Sequence, residues 1–229
     1  MSATLDTNDP AELAERSADF ESAWAGDIVA WAAQTYGAGL VATASFEDAV
    51  LAHLVATSAP GAEVAFLDTQ YHFAETWWLV DEVRVGLGDK LNLTIERPLP
   101  DVVPDNLWQS DVEACCAKRK VEPLQRVLGS HTAWITGIRR IDGPTRANAP
   151  IVSWDDRFGV VKINPLATWT DDDLATYIAV NELPAHPLRD KGDYPSIGCW
   201  PCTRPVAPGE DRRAGRWAGS AKTECGLHG

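Results

Sequence analysis

The apolar and polar positions of the chain predict helices alternating with short buried strands. Asp9, Pro10 and Glu12 read as a helix start: Asp9 can cap, Pro10 suits the first turn and Glu12 can reach back. That helix is expected to run towards Tyr36 and to stop near Gly37 and Gly39. Leu40 to Ser45 is a short apolar run that suits a buried strand, and Ala49 to Thr57 follows as a helix. Ala62 to Leu67 gives a second strand ending at Asp68-Thr69, Phe73 to Val85 a helix, and Leu91 to Ile95 a third strand. Cys116 to Leu128 reads as a helix and Ala133 to Ile138 as a fourth strand. Ile151 to Ile163 has the pattern of a hairpin or sheet edge, turning near Asp155 to Phe158. Thr170 is placed to cap a helix through about Val180, with Asp171, Asp172 and Asp173 in its first turn. Strands and helices alternating at this spacing imply an α/β fold, a mainly parallel sheet flanked by helices.

From Asn181 onward the periodicity fades, and Pro184, Pro187, Pro195, Pro201, Pro205 and Pro208 punctuate the remainder of the chain. This irregular C-terminal segment has little means of burying a core of its own, so a metal, a ligand or the main body must order it. The chain therefore reads as one domain over residues 1–229. It has an N-terminal helical segment (1–36), an α/β core (37–180) and a C-terminal segment (181–229). Met1 to Pro10 lacks the basic and apolar regions of a signal peptide, and no apolar run approaches the ~20 residues of a membrane span. Cytoplasmic residence without a membrane partner is the expectation.

Composition sharpens this picture. With 229 residues, 45% apolar and 23% charged, the chain can bury a sizeable core. Its net charge of −13 argues against a nucleic-acid partner held by phosphate neutralisation. The charge is unevenly spread. Up to Ser110 there are 4 basic residues against 18 acidic, net −14; beyond it there are 16 against 15, net +1. All five cysteines lie in that second part. Five is too few for a disulfide scaffold, and in the cytosol clustered thiols point to metal or redox chemistry. Ten tryptophans, including Trp77-Trp78, would cover a homo-oligomer interface as readily as fill a core.

In open parallel sheets, ligands gather beyond the carboxyl ends of the strands. Three such ends stand out: Ser45-Phe46-Glu47-Asp48, Leu67-Asp68-Thr69, and Thr136-Gly137-Ile138-Arg139-Arg140. Ser45 opens either a plain strand-to-helix turn or one whose helix amides hold phosphate. Cys115-Cys116 and Cys199-Trp-Pro-Cys202 form the stronger constellation. Adjacent cysteines diverge, which suits the separate corners of a [4Fe–4S] cluster better than one zinc ion; buried free thiols with a redox pair are the bland alternative. Cys225, near the C-terminus, is either a reactive thiol or an incidental one. Three groups of cations lie after these motifs: Lys118-Arg119-Lys120; Arg139, Arg140 and Arg146; and Arg204, Arg212, Arg213 and Arg216. Arginine forks suit phosphate and sulfate oxygens, and the three groups are expected to line one anion pocket.

Cys115-Cys116-Ala-Lys-Arg119-Lys120-Val-Glu-Pro-Leu124 resembles the Cys-Cys-x-x-Arg-Lys-x-x-Pro-Leu signature of assimilatory adenylyl-sulfate reductases, within the phosphoadenylyl-sulfate reductase family. Phe66-Leu-Asp-Thr69, Thr136-Gly-Ile-Arg-Arg140, Gly198-Cys-Trp-Pro-Cys-Thr-Arg-Pro205 and Glu224-Cys-Gly-Leu-His228 extend the resemblance over most of the chain. It implies a fold like that of the adenine-nucleotide α-hydrolases, with a modified pyrophosphate loop at Ser45 to Asp48. It implies thioredoxin-dependent reduction of adenosine 5′-phosphosulfate to sulfite and AMP, in sulfate assimilation and cysteine biosynthesis. Cys225 would be the nucleophile, passing through an S-sulfocysteine. Cys115, Cys116, Cys199 and Cys202 would hold one [4Fe–4S] cluster per subunit. Lys120, Arg213 and Arg216 would hold the phosphosulfate, with spacing from Cys202 favouring Arg213 over Arg212. Leu67 would meet adenine, Arg146 would lie near the nucleotide, and Ser45 and Gly137 would contribute from their strand ends. The same chemistry on the 3′-phosphorylated nucleotide is the nearest alternative. An ATP pyrophosphatase-type ligase and a zinc-stabilised nucleotide-binding module are more distant ones.

Overall fold

The structure, a computed structural model, describes residues 9–217 together with Lys222, Glu224, Gly226 and Leu227. Asp9 caps helix α1 (Pro10–Asp19), accepting a hydrogen bond from the Ala11 amide at 2.8 Å, without a reciprocal bond from Glu12. The single N-terminal helix expected from the sequence is two. A 3-10 turn at Phe20–Ser22 and an extended Trp24 separate α1 from α2 (Ala25–Tyr36). No glycine or proline forces this break. Its cause is tertiary: α1 lies against the outermost strand of the sheet, whereas α2 packs on the next helix. Trp24, at the break, stacks on Trp169 with ring centroids 5.4 Å apart.

The elements β1 (Leu40–Thr43), α3 (Val50–Ser58), β2 (Glu63–Leu67), α4 (Ala74–Leu87) and β3 (Asn92–Glu96) follow within two residues of the pattern's expectation. Two short helices, α5 (Leu107–Ser110) and α6 (Val112–Cys116), come next. The helix expected over Cys116 to Leu128 is interrupted by a π-helical turn at Ala117–Val121 before α7 (Glu122–Leu128). Pro123 explains the interruption: it has no N–H to bond the carbonyl four residues earlier, so the α register cannot run through. Strand β4 is confined to Ala133–Ile135; beyond it the Thr136 amide still donates to the Ile163 carbonyl at 2.8 Å and its hydroxyl to Asn164. β5 (Val152–Asp155) and β6 (Val160–Ile163) form the expected hairpin. Thr170 and Asp173 form a capping box on α8 (Asp171–Val180), and α9 (Pro187–Asp190) is one short turn.

The six strands lie in the order β3-β2-β1-β4-β6-β5, parallel throughout except for β5. Because successive side chains point to opposite faces, the sheet is apolar on both. Ala42, Val64, Phe66, Ile135 and Ile163 meet α2, α3, α4 and α8 in the larger core. Val41, Ala65, Leu67, Trp134 and Val160 meet α7 and Leu227 on the other face. The strand order reverses between β1 and β4. Both chain directions leave a crevice there, beyond the carboxyl ends.

The edge strand β5 is covered rather than left open. The buried Ser17 hydroxyl of α1 accepts from the amides of Ile151 at 2.9 Å and Val152 at 3.2 Å. Ser17→Ala leaves both donors buried without that partner. Chemical denaturation should report a loss of about 1–3 kcal/mol.

Candidate active site

The three strand ends singled out in the sequence meet around one cleft, lined by Ser45 to Asp48, by Leu67 and Thr69, and by Thr136 to Arg139. The first turn is bent, with one of its amides engaged from within. Phe46 adopts a left-handed conformation (φ 52°), and the Asp48 carboxylate itself accepts from the Val50 amide at 3.0 Å. The Val50 amide is thus taken from within, and side-chain cations line the cleft around the turn. Asp48 also pairs with Arg189 at 3.2 Å, and Glu47 lines the same wall. Burial pushes the Glu47 carboxyl above its ordinary range, with Arg189 and Arg216 opposing.

The second strand end turns sharply. The Asp68 carboxylate accepts from the Gln70 amide at 2.8 Å, the Thr69 hydroxyl from the Tyr71 amide at 3.2 Å, and Gln70 takes a left-handed conformation (φ 67°). This turn carries the chain to the Cys199 loop. The Trp200 amide donates to the Tyr71 carbonyl at 2.8 Å, and His72 pairs with Cys199 as an antiparallel bridge. The His72 ring donates to the Leu67 carbonyl at 2.9 Å, and burial pulls its pKa down to about 4.

Cys115 and Cys116 end α6, and Cys199 and Cys202 flank the other wall of a second, smaller cavity. All four are free thiols, and three are buried. Tyr71, Trp108, Val112 and Pro201 enclose them, and the Thr69 hydroxyl lies 3.2 Å from the Cys199 sulfur. Burial, and then the facing thiols, push Cys115 up to about 11; the same two causes raise Cys202. Among the described residues, no three His, Cys, Asp or Glu side chains converge on a single-ion site. The four thiols line one cavity.

The cleft and the thiol cavity share a wall made of Thr69, Lys120, Arg216 and Trp217. The three consecutive cations of the π turn point in three directions, as neighbouring side chains on a helix do. Lys120 faces the shared wall. Arg119 is buried under the Tyr71 ring at 4.6 Å, bonding Gln70, the Val103 carbonyl at 2.6 Å and Asp105 at 3.3 Å. Lys118 faces a separate depression with Asp101 and Asp105. The rest of the shared wall comes from residues 204–217, which fold back along the Cys199 loop. The Arg204 amide donates to the Gly215 carbonyl at 2.9 Å and the Trp217 amide to the Cys202 carbonyl at 2.9 Å. Arg216 and Arg213 then lie 4.6 and 5.6 Å from the Trp217 ring centroid.

The expectation that all three cation groups line one pocket is thus corrected. Lys120, Arg139, Arg146, Arg213 and Arg216 line the cleft. Arg140 pairs with Glu21 at 2.6 Å, Arg204 with Glu210 at 3.0 Å, and Arg212 with Asp171 at 3.2 Å. Arg139 is committed to Asp142 at 2.8 Å and Asp171 at 2.9 Å. Arg213, not Arg212, faces the cleft, as the spacing favoured. Ser45, Leu67, Gly137 and Arg146 also face it, whereas Cys225 lies outside the described residues. Arg189, Trp217 and Glu224 were not singled out in the sequence. Arg189 sits in the proline-rich segment with no pattern to mark it; Glu224 stood in plain view beside Cys225.

A two-core α/β sheet with a cationic cleft at its switch point defines a nucleotide-binding protein of the doubly wound type. Over residues 40–205 the chain matches the phosphoadenosine phosphosulfate reductase domain, and it belongs to that family. It is 47% identical over 98% of its length to an adenosine 5′-phosphosulfate reductase of Mycolicibacterium smegmatis, covering 97% of that protein. The crystal structure of a phosphoadenylyl-sulfate reductase from Candida auris, a phosphate complex, superposes with a TM-score of 0.70 at 28% identity. That superposition covers 84% of this chain and 95% of the other. An FMN adenylyltransferase of Candida glabrata shares the fold alone, with a TM-score of 0.57 at 14% identity over 85% of this chain and 73% of that one. No helix among the described residues is long and apolar enough to cross a membrane.

Gly198 offers a clean test of the shared wall. A Cβ there would overlap the Arg216 guanidinium, whose Nη1 donates to Ser196 and Ile197 at 3.1 Å each. The clash is with a flexible side-chain end, so Gly198→Ala should fold nearly as stably as the parent. It should bind AMP about tenfold more weakly by calorimetry, through the displaced charge-assisted bond.

Proposed function

We propose that this chain is a thioredoxin-dependent adenylyl-sulfate reductase, an oxidoreductase that converts adenosine 5′-phosphosulfate to sulfite and AMP. One observation carries the reading: a cationic cleft lies back to back with a cavity of four clustered thiols, with Lys120 and Arg216 in the wall between them. The relatives named for this activity match nearly the whole chain. The acidic net charge is no obstacle, because the cleft concentrates cations where a doubly anionic phosphosulfate would sit.

In this reading Leu67, Ser45 and Gly137 bind the nucleoside at the strand ends, and Arg146 lies beside the nucleotide. Lys120, Arg213 and Arg216 orient the phosphosulfate and stabilise the charge that develops on the departing phosphate. The Cys225 thiolate attacks the sulfur of the sulfuryl group. The sulfur–oxygen bond to phosphate breaks, and AMP leaves with that electron pair. An S-sulfocysteine remains. A thioredoxin thiolate then attacks the Cys225 sulfur, releasing sulfite with the sulfur–sulfur electron pair, and the second thioredoxin thiol resolves the mixed disulfide. Thioredoxin supplies both electrons, and its dithiol becomes a disulfide.

Cys115, Cys116, Cys199 and Cys202 fit a [4Fe–4S] cluster. The donors are four thiols lining one small cavity, with aromatic and apolar side chains and the cations Arg119, Lys120 and Arg216 around them, which suits an anionic thiolate-bound cluster. When bound, such a cluster supplies a fixed charged body that orders the Cys115-Cys116 turn and sets the field at Lys120. No electron need pass through it.

Anaerobically purified protein should be brown, absorbing broadly near ~400 nm as thiolate-bound iron does. It should release sulfite from adenosine 5′-phosphosulfate with reduced thioredoxin. The 3′-phosphorylated nucleotide should have a lower kcat/KM. Cys225→Ser should abolish sulfite release while keeping the colour and AMP binding. Sulfite from that variant, or a colourless protein with one zinc per chain, would sink the corresponding assignment.

A further inference from the structure

Four contacts hold the C-terminal residues against the cleft. Lys222, its side chain largely buried beside Trp217, pairs with Glu113 of the helix that carries Cys115 and Cys116. The Gly226 carbonyl accepts from Arg157. Leu227 packs on the core beneath the sheet and lines the cleft. Between them the Glu224 carboxylate meets the cleft's own cations. It accepts from Arg146 Nε at 2.9 Å and Nη2 at 2.8 Å, from Arg213 Nη2 at 3.2 Å and from the Thr145 hydroxyl at 2.9 Å. Only 11% of the Glu224 side chain is exposed.

This ion pair differs from an ordinary surface one. Burial pushes the Glu224 carboxyl up, yet the bonds from Arg146 and the charge of Arg213 bring it below its ordinary value. Burial and the neighbouring Arg146 disfavour the Arg213 charge, so this corner calls for an anion. Arg146 also meets Asp142 at 3.7 Å, so the positive excess around Glu224 comes from Lys120 and Arg216, which line the same cleft. Glu224 therefore grips the anion site without neutralising it.

We propose that Glu224 is a positioning residue: by clamping Arg146 and Arg213, its carboxylate docks the segment that carries Cys225 at the site of the phosphosulfate. The proposal rests on the reductase reading for the role of Cys225, one peptide unit further along the chain. The same arginines then serve two ends, gripping the tail through Glu224 and the substrate through its own anionic groups. Removing the carboxylate should loosen the tail and leave nucleotide affinity intact, since a rival for the arginines is gone.

Full-length, cluster-containing enzyme with Glu224→Ala or Glu224→Asp tests this. Glu224→Ala should lower kcat by roughly tenfold to a hundredfold, the scale expected when a reacting group is misplaced by about an ångström. Its AMP affinity by calorimetry should be unchanged or tighter, and Glu224→Asp should recover part of kcat. An unchanged kcat would overturn the proposal. So would AMP binding weakened in step with kcat, which would make Glu224 a prop for the arginines instead. A second readout needs no turnover: the rate at which iodoacetamide alkylates Cys225, followed on the tryptic peptide. Glu224→Ala should be alkylated several-fold faster than the parent, and equal rates would refute the anchor. If the parent protein makes no sulfite, the reductase reading fails by itself, and alkylation still decides whether Glu224 anchors the tail.

Discussion

The reversal of strand order between β1 and β4 governs nearly everything at the site. Parallel crossovers lead away from β1 on one side through β2 and β3, and return on the other side to β4 and β6. Helices cannot close over the point where the two directions part, so a crevice remains beyond the carboxyl ends. Ser45, Leu67 and Gly137 face it because they stand where their strands end. The sheet is rigid on both faces, packed by alternating side chains with Trp134 fully buried, so the crevice is held from below.

A crevice alone has no charge preference. Here Asp48 engages the Val50 amide at the start of α3, and the cations come from elements far apart in sequence. Lys120 arrives from the π turn, Arg146 from the loop after β4, and Arg213 and Arg216 from the irregular segment that folds along the Cys199 loop. That segment has no core of its own. It is held by backbone bonds to the thiol loop, by packing on Trp217 and by ion pairs. Ordering the four thiols and ordering the anion site are consequently one event.

The acidic character of the rest of the molecule fits this division. Most of the cations that do not line the cleft are paired locally, as with Arg140 and Glu21 or Arg204 and Glu210, and contribute little long-range field. Those in the cleft lie in surroundings of reduced polarity, where each charge acts more strongly on a bound anion. Glu224 sits in the same surroundings, and so a single carboxylate on a tail is able to grip there.

Hydrophobic periodicity alone made the strands and long helices legible, because burial on both faces of a parallel sheet demands runs such as those at β1, β2 and β4. The cysteine spacing and the cation groups marked the site. The pattern failed where local and tertiary demands diverge. Nothing near Phe20 or Ala23 breaks a helix by itself; α1 and α2 part because they cover different surfaces. Pro123 was visible, yet the π turn beside it, and the different neighbours that Lys118, Arg119 and Lys120 meet, exist only in three dimensions. The same holds for which arginines face the cleft. Arg212 and Arg213 are neighbours of identical chemistry, and only the path of the chain past Asp171 and Trp217 sends one to a surface pair and the other inward. Sequence by itself determined the class of fold, the grouping of the thiols and the supply of cations, because those follow from composition and period. Tertiary structure decided which charges converge and what they grip, because direction in space is a property of packing and not of order along the chain.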